Sequence, residues 1–158
     1  MAKPEKTNVM RTLERLKVPY QDYCYVDSGV VSGVDVAKVL NKDPKRTFKT
    51  LVTVGKSKGH YVFMIPVEEE LDLKKAAAAV GEKALEMLKS KELLPLTGYV
   101  HGGCSPIGMK KPFPTLIHKT AEEFETIMFS AGKSGYQVEC TLEGLRKAVP
   151  IKSTDLTV

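Results

Sequence analysis

Apolar positions recur at helical spacing over 8–17, where Val9, Leu13 and Leu16 share one face and Pro19 stands ready to end the helix. The aromatic-rich run 20–26 reads as a strand. Ser32-Gly-Val-Asp35 has the form of a capping box, with Val36, Ala37 and Leu40 on one face of the helix behind it. Apolar runs at 47–54 and 60–67 flank the short segment 55–59, the pattern of a β-hairpin. Asp72 caps a helix that turns Leu73, Ala76, Ala77 and Val80 to the core and stops at Gly81. A third short helix is predicted over 82–91. Strands follow at 97–101, 115–118, 126–130 and 136–140, and Thr141 caps a last helix carrying Leu142, Leu145 and Val149.

The predicted order is α-β-α-β-β-α-α-β-β-β-β-α. Helices and hairpins mix without strict alternation, which favours an α+β fold on a mixed or mostly antiparallel sheet over a doubly wound one. No linker, repeat or low-complexity block interrupts the 158 residues, so a single domain over 1–158 is expected. No apolar run approaches the roughly 20 residues that span a bilayer, and the charged start at residues 1–6 leads into no apolar stretch. A cytoplasmic location is the expectation. Twenty-four Lys and Arg against 19 Asp and Glu give a net charge of +5, a mild tilt toward polyanions that many soluble domains share. The three cysteines, Cys24, Cys104 and Cys140, form no C-x-x-C pair, which argues against a disulfide scaffold or a structural zinc site.

Three segments could carry chemistry. The densest is 97–111, where Gly102-Gly103 is followed by Ser105-Pro106 and Gly108. Glycines let a backbone approach a ligand and offer it N–H groups, and they equally make tight turns. The second, Ser130-Ala-Gly-Lys-Ser-Gly135, ends like a phosphate loop, but Ile127 stands where that motif needs its first glycine, so it reads as a turn. The third is Lys49, which alternation places with Thr47 and Leu51 on one strand face. It is either a solvated edge charge or an ammonium in a pocket. Cys104, with His101 and His118, invites a nucleophile reading, yet no acidic or amide orienter can be placed beside it. Glu68, Glu69 and Glu70 have no histidine spaced to share a metal. Tyr20, Tyr23 and Tyr25 either pack or stack on a base.

Taken in order along the chain, Phe48-Lys-Thr-Leu-Val52, Glu70-Leu-Asp-Leu-Lys-Lys75, the stretch 96–111, Phe113-Pro-Thr115 and Ser130-Ala-Gly-Lys133 resemble the YbaK/EbsC family. The resemblance implies the fold of the editing domain of bacterial prolyl-tRNA synthetases, a barrel-like mixed sheet surrounded by helices. It implies hydrolysis of the ester joining a wrong amino acid to the 3′ end of a proline or cysteine tRNA, chiefly Cys-tRNA(Pro). Neither a metal nor another cofactor is implied, and no protein nucleophile: the substrate thiol attacks its own ester. Prolyl-tRNA synthetase is an implied partner.

Carried onto matching positions, the resemblance assigns catalytic roles to Lys49 and Gly102. It assigns substrate contacts to Tyr23, Ser32, Thr50, Gly103, Ser105, Pro106 and Ser130. Ungapped spacing selects Tyr23, and a shift of two selects Tyr25. This chain departs from some family members at Ser32, where they carry an aromatic residue, and at Gln137, where they carry Asp. Clearance of alanine from the same tRNA by water, and non-catalytic binding of tRNA or a synthetase, are the competing functions.

Overall fold

The computed structural model describes residues 6–30 and 32–158. The charged residues 1–5, read above as no leader, lie outside the described residues. Helix α1 (Asn8–Arg15) starts where the Thr7 hydroxyl accepts the Met10 N–H at 3.3 Å. It ends before Pro19 acts. Lys17 is left-handed (φ 59°), its N–H donates to the Glu14 carbonyl, and the Val18 N–H reaches back to the Leu13 carbonyl at 2.9 Å. That pattern is a Schellman motif, and buried Val18 and Leu13 supply its apolar contact.

Strand β1 (Gln21–Cys24) leads to α2 (Gly33–Val39), then to the hairpin β2 (Phe48–Gly55) and β3 (His60–Pro66). Ser32 does cap α2: its hydroxyl accepts the Asp35 N–H at 3.2 Å. Helix α3 (Leu73–Val80) starts at Asp72 and ends at left-handed Gly81, as expected, with Ala76 and Ala77 buried, although Leu73 is exposed.

The helix expected over 82–91 is instead strand β4 (Leu85–Met87) followed by helix α4 (Ser90–Thr97). β4 is three residues long and exists by pairing with the end of β2, Thr53 opposite Met87 and Gly55 opposite Leu85. The strand expected over 97–101 is absent, because Thr97 closes α4 and Gly98 caps it in the left-handed region. β5 (Thr115–His118), β6 (Ile127–Ser130), β7 (Tyr136–Cys140) and α5 (Leu142–Ala148) follow as predicted. A last strand, β8 (Ile151–Thr154), was not expected; it is made by parallel pairing with β5.

The α+β class and mixed pairing hold, with the strands divided between two sheets. One has the order β1-β7-β6 and is antiparallel. The other has the order β4-β2-β3-β5-β8, antiparallel through β3 and parallel at β3–β5 and β5–β8. A parallel bridge between Thr47 and Met128 links them. Phe48, Phe129, Ile117 and Leu145 form one core with α1 and α5, and Phe63, Ile65 and Leu116 form a second under α3.

Candidate functional site

Between the two sheets lies a cleft of about 320 Å³. It opens along β2 because β2 lacks a neighbour there. The Val67 N–H donates to the Thr47 carbonyl at 2.9 Å and the Gly55 N–H to the Gly59 carbonyl at 2.8 Å, which sets the phase of the β2–β3 ladder. Odd-numbered residues of β2 bond to β3, and Thr50 and Val52 turn their N–H and C=O outward. The outward carbonyl of Val52 is taken by the Leu88 N–H at 3.0 Å. Among the described residues no strand pairs with Thr50 on that side, since β4 meets only residues 53–55 and β6 only Thr47.

Five of the nine expected site residues line this cleft: Ser32, Lys49, Thr50, Gly102 and Ser130. Lys49 makes no ion pair or side-chain hydrogen bond among the described residues. Its neighbours in the fold, Lys42 and Arg46, are by contrast paired with Glu139, at 3.5 and 3.3 Å. Ser130 lies directly opposite Gln137 across β6–β7, and its hydroxyl accepts the Gly132 N–H at 3.1 Å. Gln137 also lines the cleft, is 8% exposed, and its Oε1 has no partner. The Thr50 hydroxyl is likewise buried without a partner.

The other four expected residues stand elsewhere. Tyr23 turns away from the cleft: its hydroxyl donates to Glu139 Oε1 at 2.7 Å and the Lys42 ammonium lies 4.7 Å above its ring. Buried Tyr25, two residues on, lines the cleft instead. Gly103, Ser105 and Pro106 belong to the framework of the glycine loop. The Gly103 N–H is used by the Val100 carbonyl at 3.0 Å, and a Cβ there would stand 2.9 Å from the Ser134 nitrogen. Glycine at 103 is therefore what lets the loop close on the β6–β7 turn. The Ser105 hydroxyl accepts from the Ile107 N–H at 3.4 Å. Gly102, with φ +87°, is the residue of this pair that reaches the cleft, and no backbone carbonyl among the described residues takes its N–H.

Sequence reasoning missed Tyr99, the post around which the loop is built. Its hydroxyl donates to the Ile107 carbonyl, and burial, with Cys104 nearby, pushes its pKa up to about 12. A tyrosine bracketed by Gly98 and Gly108 was the available signal, hidden by reading 97–101 as a strand.

The Cys/His nucleophile reading does not survive. Cys104 lines the cleft but is 8% exposed, and burial pushes its thiol up to about 12, so it is not a thiolate near neutral pH. His118 is committed elsewhere: its Nδ1 accepts the Leu156 N–H at 3.1 Å. His101 lines the cleft and is exposed, with no base or acid bonded to it. Among the described residues no group of three His, Cys, Asp or Glu could hold a metal ion. Among them, too, no helix is long and apolar enough to cross a membrane.

The family model described as an aminoacyl-tRNA editing domain matches residues 27–148, a span holding β2, the glycine loop and β6–β7. The chain belongs to the aminoacyl-tRNA editing domain family. It is 49% identical, over 89% of its length and 87% of the relative's, to an Enterococcus faecalis protein named "Putative Cys-tRNA(Pro)/Cys-tRNA(Cys) deacylase EbsC", a YbaK-type member of this editing family. A proline–tRNA ligase of Thermosipho africanus is 29% identical over 64% of this chain, which corresponds to 16% of that much longer enzyme. Among solved structures, the crystal structure of "a putative trans-editing enzyme for prolyl tRNA synthetase" superposes with a TM-score of 0.83 over 100% of this chain and 99% of the other. At 22% identity that match speaks to the editing-domain fold.

Proposed function

We propose that this editing-domain protein is a trans-acting aminoacyl-tRNA deacylase that clears cysteine from proline tRNA, and cysteine tRNA as a second substrate. One observation carries the reading: the cleft holds Lys49, a cation without a counterion among the described residues, and the cysteine lining it, Cys104, is held as a neutral thiol. A site of that kind suits an anionic ligand that brings its own attacking group. A cysteinyl ester does so. Its thiol is a few per cent thiolate at pH 7 and intrinsically very nucleophilic.

The reaction balances within the substrate. The sulfur bonds to the ester carbonyl carbon, the bond from that carbon to the ribose oxygen breaks, and the thiol proton ends on the ribose hydroxyl. The resulting cyclic thioester is opened by water to free cysteine. The protein holds thiol and carbonyl in attack geometry. Lys49 binds the terminal phosphate or ester oxygen, and the free Gly102 N–H stabilises the oxyanion. Ser32, Thr50 and Ser130 bound the aminoacyl group. Tyr25 takes the place expected of Tyr23, and Gly103, Ser105 and Pro106 act by shaping the loop that presents Gly102. The whole chain works as one domain, in the cytoplasm where aminoacyl-tRNA is found. Prolyl-tRNA synthetase recruits it to tRNA, because a +5 protein gains little affinity from charge alone.

The test is deacylation of Cys-, Ala- and Ser-tRNA(Pro) side by side with EDTA present. Turnover of Cys alone is expected. Lys49→Ala should lower it by about 10²- to 10³-fold, the loss typical for one preorganised donor. Its melting temperature should hardly move, because Lys49 has no partner to lose. Fast turnover of alanine would mean that water attacks, and would sink both substrate and mechanism.

A further inference from the structure

Two buried oxygens in the cleft, Thr50 Oγ1 and Gln137 Oε1, have no hydrogen-bond partner among the described residues. An unmet buried polar group is costly, and most buried polar groups are bonded. Gln137 is 8% exposed and is the second residue of β7, opposite Tyr23 of β1 and Ser130 of β6. Thr50 sits where β2 lacks a neighbour, so its main-chain carbonyl faces the same open edge. The cleft is thus lined by unmet acceptors as well as by the Lys49 cation, whose side chain leaves β2 in the opposite direction from that of Thr50.

We infer that Thr50 and Gln137 form the subsite for the free α-ammonium group of the aminoacyl ester, so that only N-unblocked aminoacyl ends are accepted. This rests on the deacylase reading above. Of the groups in an aminoacyl-adenosine, the ammonium alone carries three donors and a positive charge. It has donors enough for both oxygens, where a ribose hydroxyl has one. The amide and hydroxyl are neutral, so they bind the ammonium without drawing in Lys49 as a carboxylate would. The consequence is selectivity by chain-end chemistry. Peptidyl-tRNA and other N-acylated tRNAs, which have one amide N–H and no charge, are left intact.

The experiment is direct binding by calorimetry of 3′-(L-cysteinylamino)-3′-deoxyadenosine and its Nα-acetyl form, where an amide replaces the labile ester. The wild type should prefer the free amine by about 10- to 100-fold, the range for hydrogen bonds to a charged group. Gln137→Leu and Thr50→Val should each shrink that preference by about tenfold, through weaker binding of the free amine with the acetyl form unchanged. Gln137→Glu, which retains shape and adds charge, should widen it, and serves if an apolar variant folds poorly. Equal affinity of the wild type for both probes, failure to bind either, or a preference untouched in the variants would overturn the subsite. A clear amine preference in a protein that hydrolyses no Cys-tRNA would instead overturn the deacylase reading and leave the subsite standing.

Discussion

Glu139 and Gln137 are neighbours two residues apart on β7, each 8% exposed, and they are treated in opposite ways. Around Glu139 the fold supplies everything: hydroxyls of Tyr23 and Thr126 at 2.7 Å each, and the charges of Lys42 and Arg46. Burial pushes its carboxyl up, but these four partners more than offset it and hold the group below the ordinary carboxylate range. His118 is met as fully, by the Leu156 N–H and the Thr157 hydroxyl. Gln137, Thr50 and Lys49 are left wanting. Of the three buried side-chain oxygens without a partner among the described residues, those of Thr50 and Gln137 line the cleft, and that of Thr120 does not.

The comparison can be broken at its framework end first. Glu139→Leu should destabilise the protein by about 2–3 kcal/mol, because Lys42, Arg46, Tyr23 and Thr126 lose one shared acceptor and the two cations are only partly open to solvent. Urea unfolding measures this; a loss under about 0.5 kcal/mol would show that the cluster is not structural.

A middle-sized effect concerns pH. Burial holds the His118 pKa below its ordinary value, aided by Lys119 and Lys75 and opposed by Asp155 and Glu69. The neutral ring is the one that accepts the Leu156 N–H. The unfolded chain therefore binds this proton more readily, so the contribution is fully present above about pH 6.5 and is lost as pH falls below it. The urea midpoint should drop between pH 7.5 and 5.5 by more in the wild type than in His118→Asn. Parallel profiles would remove His118 as the cause.

The smallest effect sharpens the other end. Gln137→Leu replaces an amide whose oxygen is buried without a partner by an apolar side chain, and should raise stability slightly, by up to about 1 kcal/mol, while weakening substrate binding. A stability loss above about 1 kcal/mol would mean that Gln137 is a framework residue like Glu139.

Much of the fold was legible from local chemistry. Ser32, Asp72 and Thr141 each cap a helix through a side-chain oxygen, and 47–67 forms the expected hairpin. What failed was structure made by distant partners. β4 and β8 are short, and only pairing with β2 and β5 makes them strands. Tyr99 was invisible because its task, holding Ile107 and flanking Gly132, appears only once the loop is folded.

The site divides along the same line. The residue types at Lys49, Thr50, Gly102 and Ser130 could be singled out from the sequence because a motif records which side chains are present and in what order. Only the tertiary structure decided that Tyr25 rather than Tyr23 meets the cleft, that Gly103 packs against the β6–β7 turn, and that the Gln137 oxygen is left unpaired. Capping and hairpin formation are settled within a few residues of chain. Whether a buried polar group is satisfied depends on atoms contributed by another sheet, and only the packing of the two sheets supplies or withholds them.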